Sequence, residues 1–313
     1  MWKVIAKRVL IVIPMLWAIV TLTFLLVQGL PGDPGRTILG QEATQDQVDT
    51  LNHQLGFDRP VLEQYVSFLG HLVRGDLGTS ILNNIPVTSI LGPRVPVTLS
   101  LALCATVFLI VLGLTLGTVA AVVGGRVDHV IRLVASLLMS VPSFWLGVVL
   151  VAILSVELRW LPATGYVNLE VSPMDWARYL ILPVLAIGAA GTAAAIRQTR
   201  AAMLDVLQRD YIRNLRANGA STASIVLKHA LRNAAIPILA TVGFQFIGIL
   251  GGTVVIETIF TLPGVGQQIL QAVGAHDLPV ISGIVICTTL IVLLTNLIVD
   301  IISVLLNPRL RTP

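Results

Sequence analysis

An all-α membrane protein with about six spanning helices is the fold class this sequence predicts, and three observations carry the prediction. First, 55% of the 313 residues are apolar and only 12% are charged, against roughly 25% charged in soluble domains. A soluble core has no use for that much apolar surface, whereas a bilayer does. Second, six stretches carry no Asp, Glu, Lys or Arg: Val9–Gly32, Val95–Gly125, Leu133–Val156, Tyr179–Ile196, Asn233–Ile256 and Leu278–Val299. Each meets or approaches the roughly 20 residues that cross the hydrocarbon. In lipid every backbone amide must be paired within its own segment, so these runs are helices. Third, basic residues are unevenly shared between the loops. With the N-terminus inside, 14 of the 20 lysines and arginines fall on the inner side. Arg36, Arg59, Arg74, Arg94, Arg159 and Arg178 fall outside, and most of the acids join them. The positive-inside rule then puts both termini in the cytoplasm of a multi-pass inner-membrane chain.

The first run comes after MWKVIAKR, a start that resembles a secretory signal. It is too long for a signal h-region and shows no small-residue cleavage site, so it reads as a retained span. Residues 1–96 are expected to form this helix and an outer loop, and residues 97–313 a five-helix core. In the outer loop, Leu62, Tyr65, Val66, Leu69, Leu72 and Val73 fall on one face of a short helix, expected to pack on the outer mouth of the bundle. Gly113-x-x-x-Gly117 and Gly248-x-x-x-Gly252 have the spacing that lets helices approach closely, a spacing also common by chance in apolar segments. The fourth run is the shortest and is rich in small residues. Cys104 and Cys287 lie inside apolar runs and read as small packing residues, not as a disulfide framework or metal site.

Several chemistries are excluded. The net charge of +4 sits in short loops between apolar runs, so it is a topological signal and not a nucleic-acid footprint. None of the three lysines, Lys3, Lys7 and Lys228, is followed by Ser or Thr, so a phosphate-binding G-x-x-x-x-G-K-[ST] loop is impossible. There is no H-E-x-x-H or G-x-S-x-G, and the five histidines are scattered, so the chain reads as no enzyme, with no metal and no catalytic residue. Polar groups within or at the ends of spans are the remaining candidates: Ser143, Gln245, Glu257, Asn296 and Asp300. Gln245 and Asn296 suit hydrogen bonds between helices. Glu257 and Asp300 lie close to an interface, where the cost of a charge shrinks. Their readings are an end-of-helix carboxylate bonding nearby loop backbone, or a proton or cation site.

The inner loop at about residues 197–232 gathers seven of the basic residues. Its segment Asp205 to Pro237 parses as two short amphipathic helices meeting at Gly219, with Ser221 and Thr222 available to cap the second. On the residues alone it is either a solvated connector or a docking surface for a partner. Tyr211-Ile212-Arg213-x-x-Arg216-Ala217-x-Gly219-x-Ser221, followed by L-x-H-A-L-R-N-A-x-I-P, resembles the cytoplasmic loop of the binding-protein-dependent ABC importer permeases. Further segments resemble the dipeptide, oligopeptide and nickel branch of that family. They are P-G-D-P at Pro31–Pro34, L-G-F-D-R-P at Leu55–Pro60, R-G-D-L-G-T-S at Arg74–Ser80, S-V-P-S-F-W at Ser140–Trp145, E-T-I-F-T-L-P-G-V-G at Glu257–Gly266 and N-P-R-L-R near the C-terminus. Arg213, Asn214 and Leu215 stand where the general family loop has Glu-Ala-Ala, and Asn218 replaces a frequent basic residue.

The resemblance implies a type I ABC importer permease bundle that translocates di- or oligopeptides across the cytoplasmic membrane. Tyr211, Arg213, Arg216, Ala217, Gly219, Ala220 and Ser221 would then couple it to an ATPase. The partners implied are a second homologous permease, two ATPase subunits that bind ATP and Mg, an extracytoplasmic solute-binding protein and the surrounding lipid. Alternatives are nickel or another small solute carried by the same mechanism, or an ion-coupled secondary transporter. The last usually shows inverted repeats or broken midplane helices, and no convincing repeat is visible.

Overall fold

The computed structural model describes residues 2–29, 33–40, 42–275 and 277–306. The N-P-R-L-R segment and part of P-G-D-P lie outside them. Ten principal helices are α1 (Trp2–Gln28), α2 (Val61–Val73), α3 (Val95–Val123), α4 (Gly125–Ser140), α5 (Ser143–Leu150), α6 (Pro173–Leu207), α7 (Asp210–Ala217), α8 (Leu231–Phe260), α9 (Val265–Gly274) and α10 (Leu278–Leu306). Among the described residues four unbroken helices are long and apolar enough to span a membrane, or five if one sharply bent pair counts as a single span. α1 has 27 residues, about 40 Å at 1.5 Å per residue, with an apolar stretch at Ile13–Leu26. The chain divides into two compact units, Met1–Ala6 with Thr98–Leu262 and Leu294–Pro313, and Lys7–Val97 with Pro263–Leu293.

Two of the expected spans differ from the structure. Leu133–Val156 is not one helix: α4 stops at Ser140, and α5 leaves it at an angle of 99°. Pro142 is the cause. Its ring disfavours helical backbone in the preceding residue, and Val141 is extended, with φ −94° and ψ 123°. The fourth span, expected to be short, is a 35-residue helix. A count of charge-free residues ends at Arg197, but the helix does not, because arginine is a good helix former. Its start is set by Ser172, which accepts the Asp175 amide at 3.3 Å, and by Pro173 at the first helical position, where a missing N–H costs nothing.

In the first unit α6 is the most buried span and packs against α8, α4 and α5. Its small residues permit this. A Cβ added to Gly113 would lie 2.5 Å from Ala195 Cβ, and one on Gly117 would lie 2.8 Å from the Ile196 carbonyl oxygen. The first glycine pair therefore seats α3 directly on α6. Around Gly248 a Cβ would meet nothing within 4 Å. A bidentate ion pair also fastens α4 to α6: Arg200 donates to Asp128 at 2.5 and 2.7 Å, and Arg132 lies 3.3 Å from the same carboxylate. Replacing Asp128 with Asn would leave the guanidinium half-paired. The Arg200 side chain keeps 27% of its surface in solvent, so the expected loss of stability is smaller than that of breaking a fully buried pair. Thermal unfolding of the purified chain measures it, and an unchanged midpoint contradicts the clamp.

In the second unit α2 forms where the apolar spacing places it, but only one edge of it packs. Tyr65 and Phe68 lie against Phe24 of α1, with ring centroids 5.3 and 5.5 Å apart. The Tyr65 hydroxyl and Thr21 Oγ1 are 2.6 Å apart, and Gln28 donates to Gln64 at 2.6 Å. Leu62, Val66 and Val73 of the expected face stay exposed. A separate cluster joins Val87, Ile90 and Leu91 to Val265, Ala272 and Ile281. The R-G-D-L-G-T-S segment builds its edge. Asp76 accepts the Gly78 amide at 2.8 Å, with Gly75 and Gly78 both at positive φ. Buried Asp277 then takes the Ser80 hydroxyl and, at 3.3 Å, the Ile81 amide.

Candidate functional site

The turn between α6 and α8 has the helix–glycine–helix form that the sequence predicts, but only the first helix is short; the second is continuous with the following span. α7 ends in a hydrogen-bonded reversal: the Gly219 amide donates to the Arg216 carbonyl and the Ala220 amide to the Leu215 carbonyl, each at 3.0 Å. This pairing of orphan carbonyls needs a left-handed residue, and Gly219 supplies it with φ +78°. Ser221 then caps the next helix, its Oγ accepting the Ser224 amide at 3.3 Å. The new helix runs without a break from Thr222 to Phe260. Its segment Ile225–Ala230 is wound as a π-helix, a widened turn often found at functional sites.

Both flanks of the turn are anchored. Met203 and Val206 at the end of α6 pack with Val226, Ala230, Ala234 and Ile238 of the following helix. Ile212 is fully buried. Asn233 donates to the Tyr211 hydroxyl at 3.0 Å, tying α7 to α8. Tyr211 is thus only about a third exposed and holds the turn in place. Arg213, Arg216, Ala217 and Gly219 are exposed, as is Ser221, and Ala220 is half-buried. Arg213 lies 3.5 Å from Asp210 and Arg209 lies 2.8 Å from Asp205, each within one helical turn, and exposed pairs of this kind contribute little. A Cβ on Gly219 would meet nothing within 4 Å. The result is a basic knob, anchored through Tyr211 and Ile212, that turns its arginines and Gly219 to solvent. Such a surface can be gripped, and it carries no group arranged for bond-breaking.

The other polar candidates sit on different helices. Glu257 is fully buried, and its Oε1 accepts the Thr98 hydroxyl of α3 at 2.6 Å. Gln245 faces Gly191 of α6, where an added Cβ would lie 3.5 Å from its Oε1. Ser143 is half-buried as the first residue of α5, directly after the bend. On α10, Asn296 is exposed and Asp300 half-buried. Sequence reasoning missed Asp128 and Arg200 as a pair. The signal was weak, since 72 residues separate two charges that each look like ordinary loop or helix-end groups.

Residues 111–312 match the family described as "Binding-protein-dependent transport system inner membrane component", and residues 1–102 match the N-terminal family of such membrane components. A Brucella abortus chain provisionally named a peptide transport system permease protein is 41% identical over 314 residues, covering 99% of both chains. The glutathione transport system permease protein GsiC of Escherichia coli K12 is 39% identical over 312 residues, again covering 99% of both. Among solved structures, the inward-facing MetNI methionine ABC transporter aligns with a TM-score of 0.59 at 18% identity. That alignment covers 70% of this chain and 97% of the other, and supports the fold.

Proposed function

Because the chain belongs to the binding-protein-dependent transport system inner membrane components, we propose that it is the permease subunit through which an ATP-driven importer moves peptides across the cytoplasmic membrane. One observation carries the substrate class: end-to-end similarity to permease chains named for peptides and for glutathione, itself a tripeptide. The partners are a second homologous permease, two cytoplasmic ATPases and an external solute-binding protein.

The knob at Gly219 is the coupling element in this reading. Tyr211 and Ile212 hold α7 on the bundle, while Arg213, Arg216, Ala217, Gly219, Ala220 and Ser221 meet the ATPase. The arginines set docking register. When the ATPases close, they draw the knob with them, and α6 and the Thr222–Phe260 helix, continuous with it, shift the bundle between two arrangements. A ligand-driven motor can only bias states the bundle already has.

Reconstitution of the chain with its partners in proteoliposomes tests the proposal. Uptake of a labelled di- or tripeptide is expected only with ATP on the ATPase side, and the purified chain alone is expected to hydrolyse no ATP. Uptake by the chain alone, driven by an ion gradient, would refute the reading.

A further inference from the structure

At the opposite end of α6 from the knob lies a polar cavity of about 530 Å³. The helix that joins the two sites is 35 residues long, about 52 Å. Ser155, Arg159, Trp160, Asp175, Arg178 and Tyr179 line the cavity. Among the described residues neither guanidinium has a hydrogen bond or an ion pair to another side chain. Asp175, the one acid of the lining, takes a hydrogen bond from the Ser172 hydroxyl at 2.8 Å. Arg159 holds a left-handed backbone, φ +54°, a conformation uncommon for a residue with a Cβ.

The loop around the cavity is tied down. Trp160 donates its amide to the Leu154 carbonyl at 2.9 Å, Ser155 its hydroxyl to the Leu161 carbonyl at 2.6 Å, and Gly165 its amide to the Phe260 carbonyl at 2.9 Å. Even so, the loop and the first turn of α6 leave large apolar side chains outside: Trp160 is 69% exposed, Val171 76% and Met174 70%. A fixed segment that presents Trp160, Val171 and Met174 beside two arginines and a tyrosine has the composition of a membrane–water boundary. A site facing only water gains nothing from apolar side chains left exposed on the neighbouring chain.

We infer that this cavity binds the headgroup of an aminophospholipid. Its phosphodiester lies between Arg159 and Arg178, a pairing guanidinium geometry favours. Its ammonium faces Asp175, and its acyl chains run down past Val171 and Met174. A free peptide is also a zwitterion, so the test must separate the two.

The full chain, purified in detergent and given phosphatidylethanolamine, is examined by native mass spectrometry. Wild type is expected to keep one phosphatidylethanolamine per chain after the micelle is stripped, and Arg159→Gln with Arg178→Gln to lower that retention about tenfold. Asp175→Asn is expected to erase the preference over phosphatidylcholine while leaving phosphate-dependent retention. Equal retention by the double variant overturns the inference, as does displacement of the lipid by millimolar dialanine. Both arginines are exposed, so the single variants repeat the comparison if the double variant does not yield folded protein.

Discussion

Gly219→Trp is expected to reduce ATP-driven uptake to background while the chain reaches the membrane in wild-type amounts. The reason is an asymmetry at this position. Any side chain there meets a backbone penalty, because φ is +78° and L-residues in the left-handed region cost about 1–2 kcal/mol. Gly219→Ala carries that penalty and almost no bulk. Tryptophan adds bulk, but within the chain nothing lies within 4 Å of the position. The difference between the two variants therefore reports on whatever docks against the turn. Alanine is expected to retain partial uptake and tryptophan none, measured with the reconstituted complex. Equal uptake by the two variants contradicts docking at Gly219.

Gly117→Leu is expected to be the most damaging single substitution within the spans. Its Cβ alone would come within 2.6 Å of Thr199 Cβ and 2.8 Å of the Ile196 carbonyl oxygen. A carbonyl held in a helix cannot step aside, so α3 must lift from α6. Overpacking of this kind costs about 3 kcal/mol, and the loss spreads along the seam that Gly113 shares. Gly248→Leu is the control, since that position opens onto empty space. Thermal unfolding in detergent and the yield of monodisperse protein compare the two. Equal stability of the variants contradicts the assignment of the α3–α6 seam.

The difference between these two glycine pairs also shows where sequence reading stops. Both have the same spacing, and both sit in apolar runs. Which one is a close backbone seam depends on what faces it: Ala195 and Thr199 of α6 crowd Gly113 and Gly117, whereas Gly248 faces open space and Gly252 meets Ile187 of α6 only at ordinary contact distance. The helix–glycine–helix turn was legible because its determinants are local: the caps, the left-handed glycine and the amphipathic spacing all lie within about 20 residues. The helix at Val61–Val73 was legible for the same reason, but its packed edge was not. Phe68, absent from the expected face, meets Phe24, while Val66 and Val73 of that face are exposed. The bend after Ser140 was visible in principle, since Pro142 stands in the middle of the run. Counting charges alone passed over it.

The π-wound segment Ile225–Ala230 has a geometric consequence for how the knob is aimed. Bonding from i to i+5 takes more residues into each turn than the ordinary winding around it. A residue is thereby absorbed without rotating the turns beyond it, so Ala234 and Ile238 can stay in phase with Met203 whatever azimuth the knob requires. In the coupling proposed above, angular setting and axial thrust would then be separated: the rod from Thr222 to Phe260 would carry a push along its length, and the π-wound segment near its base would set which way the handle points.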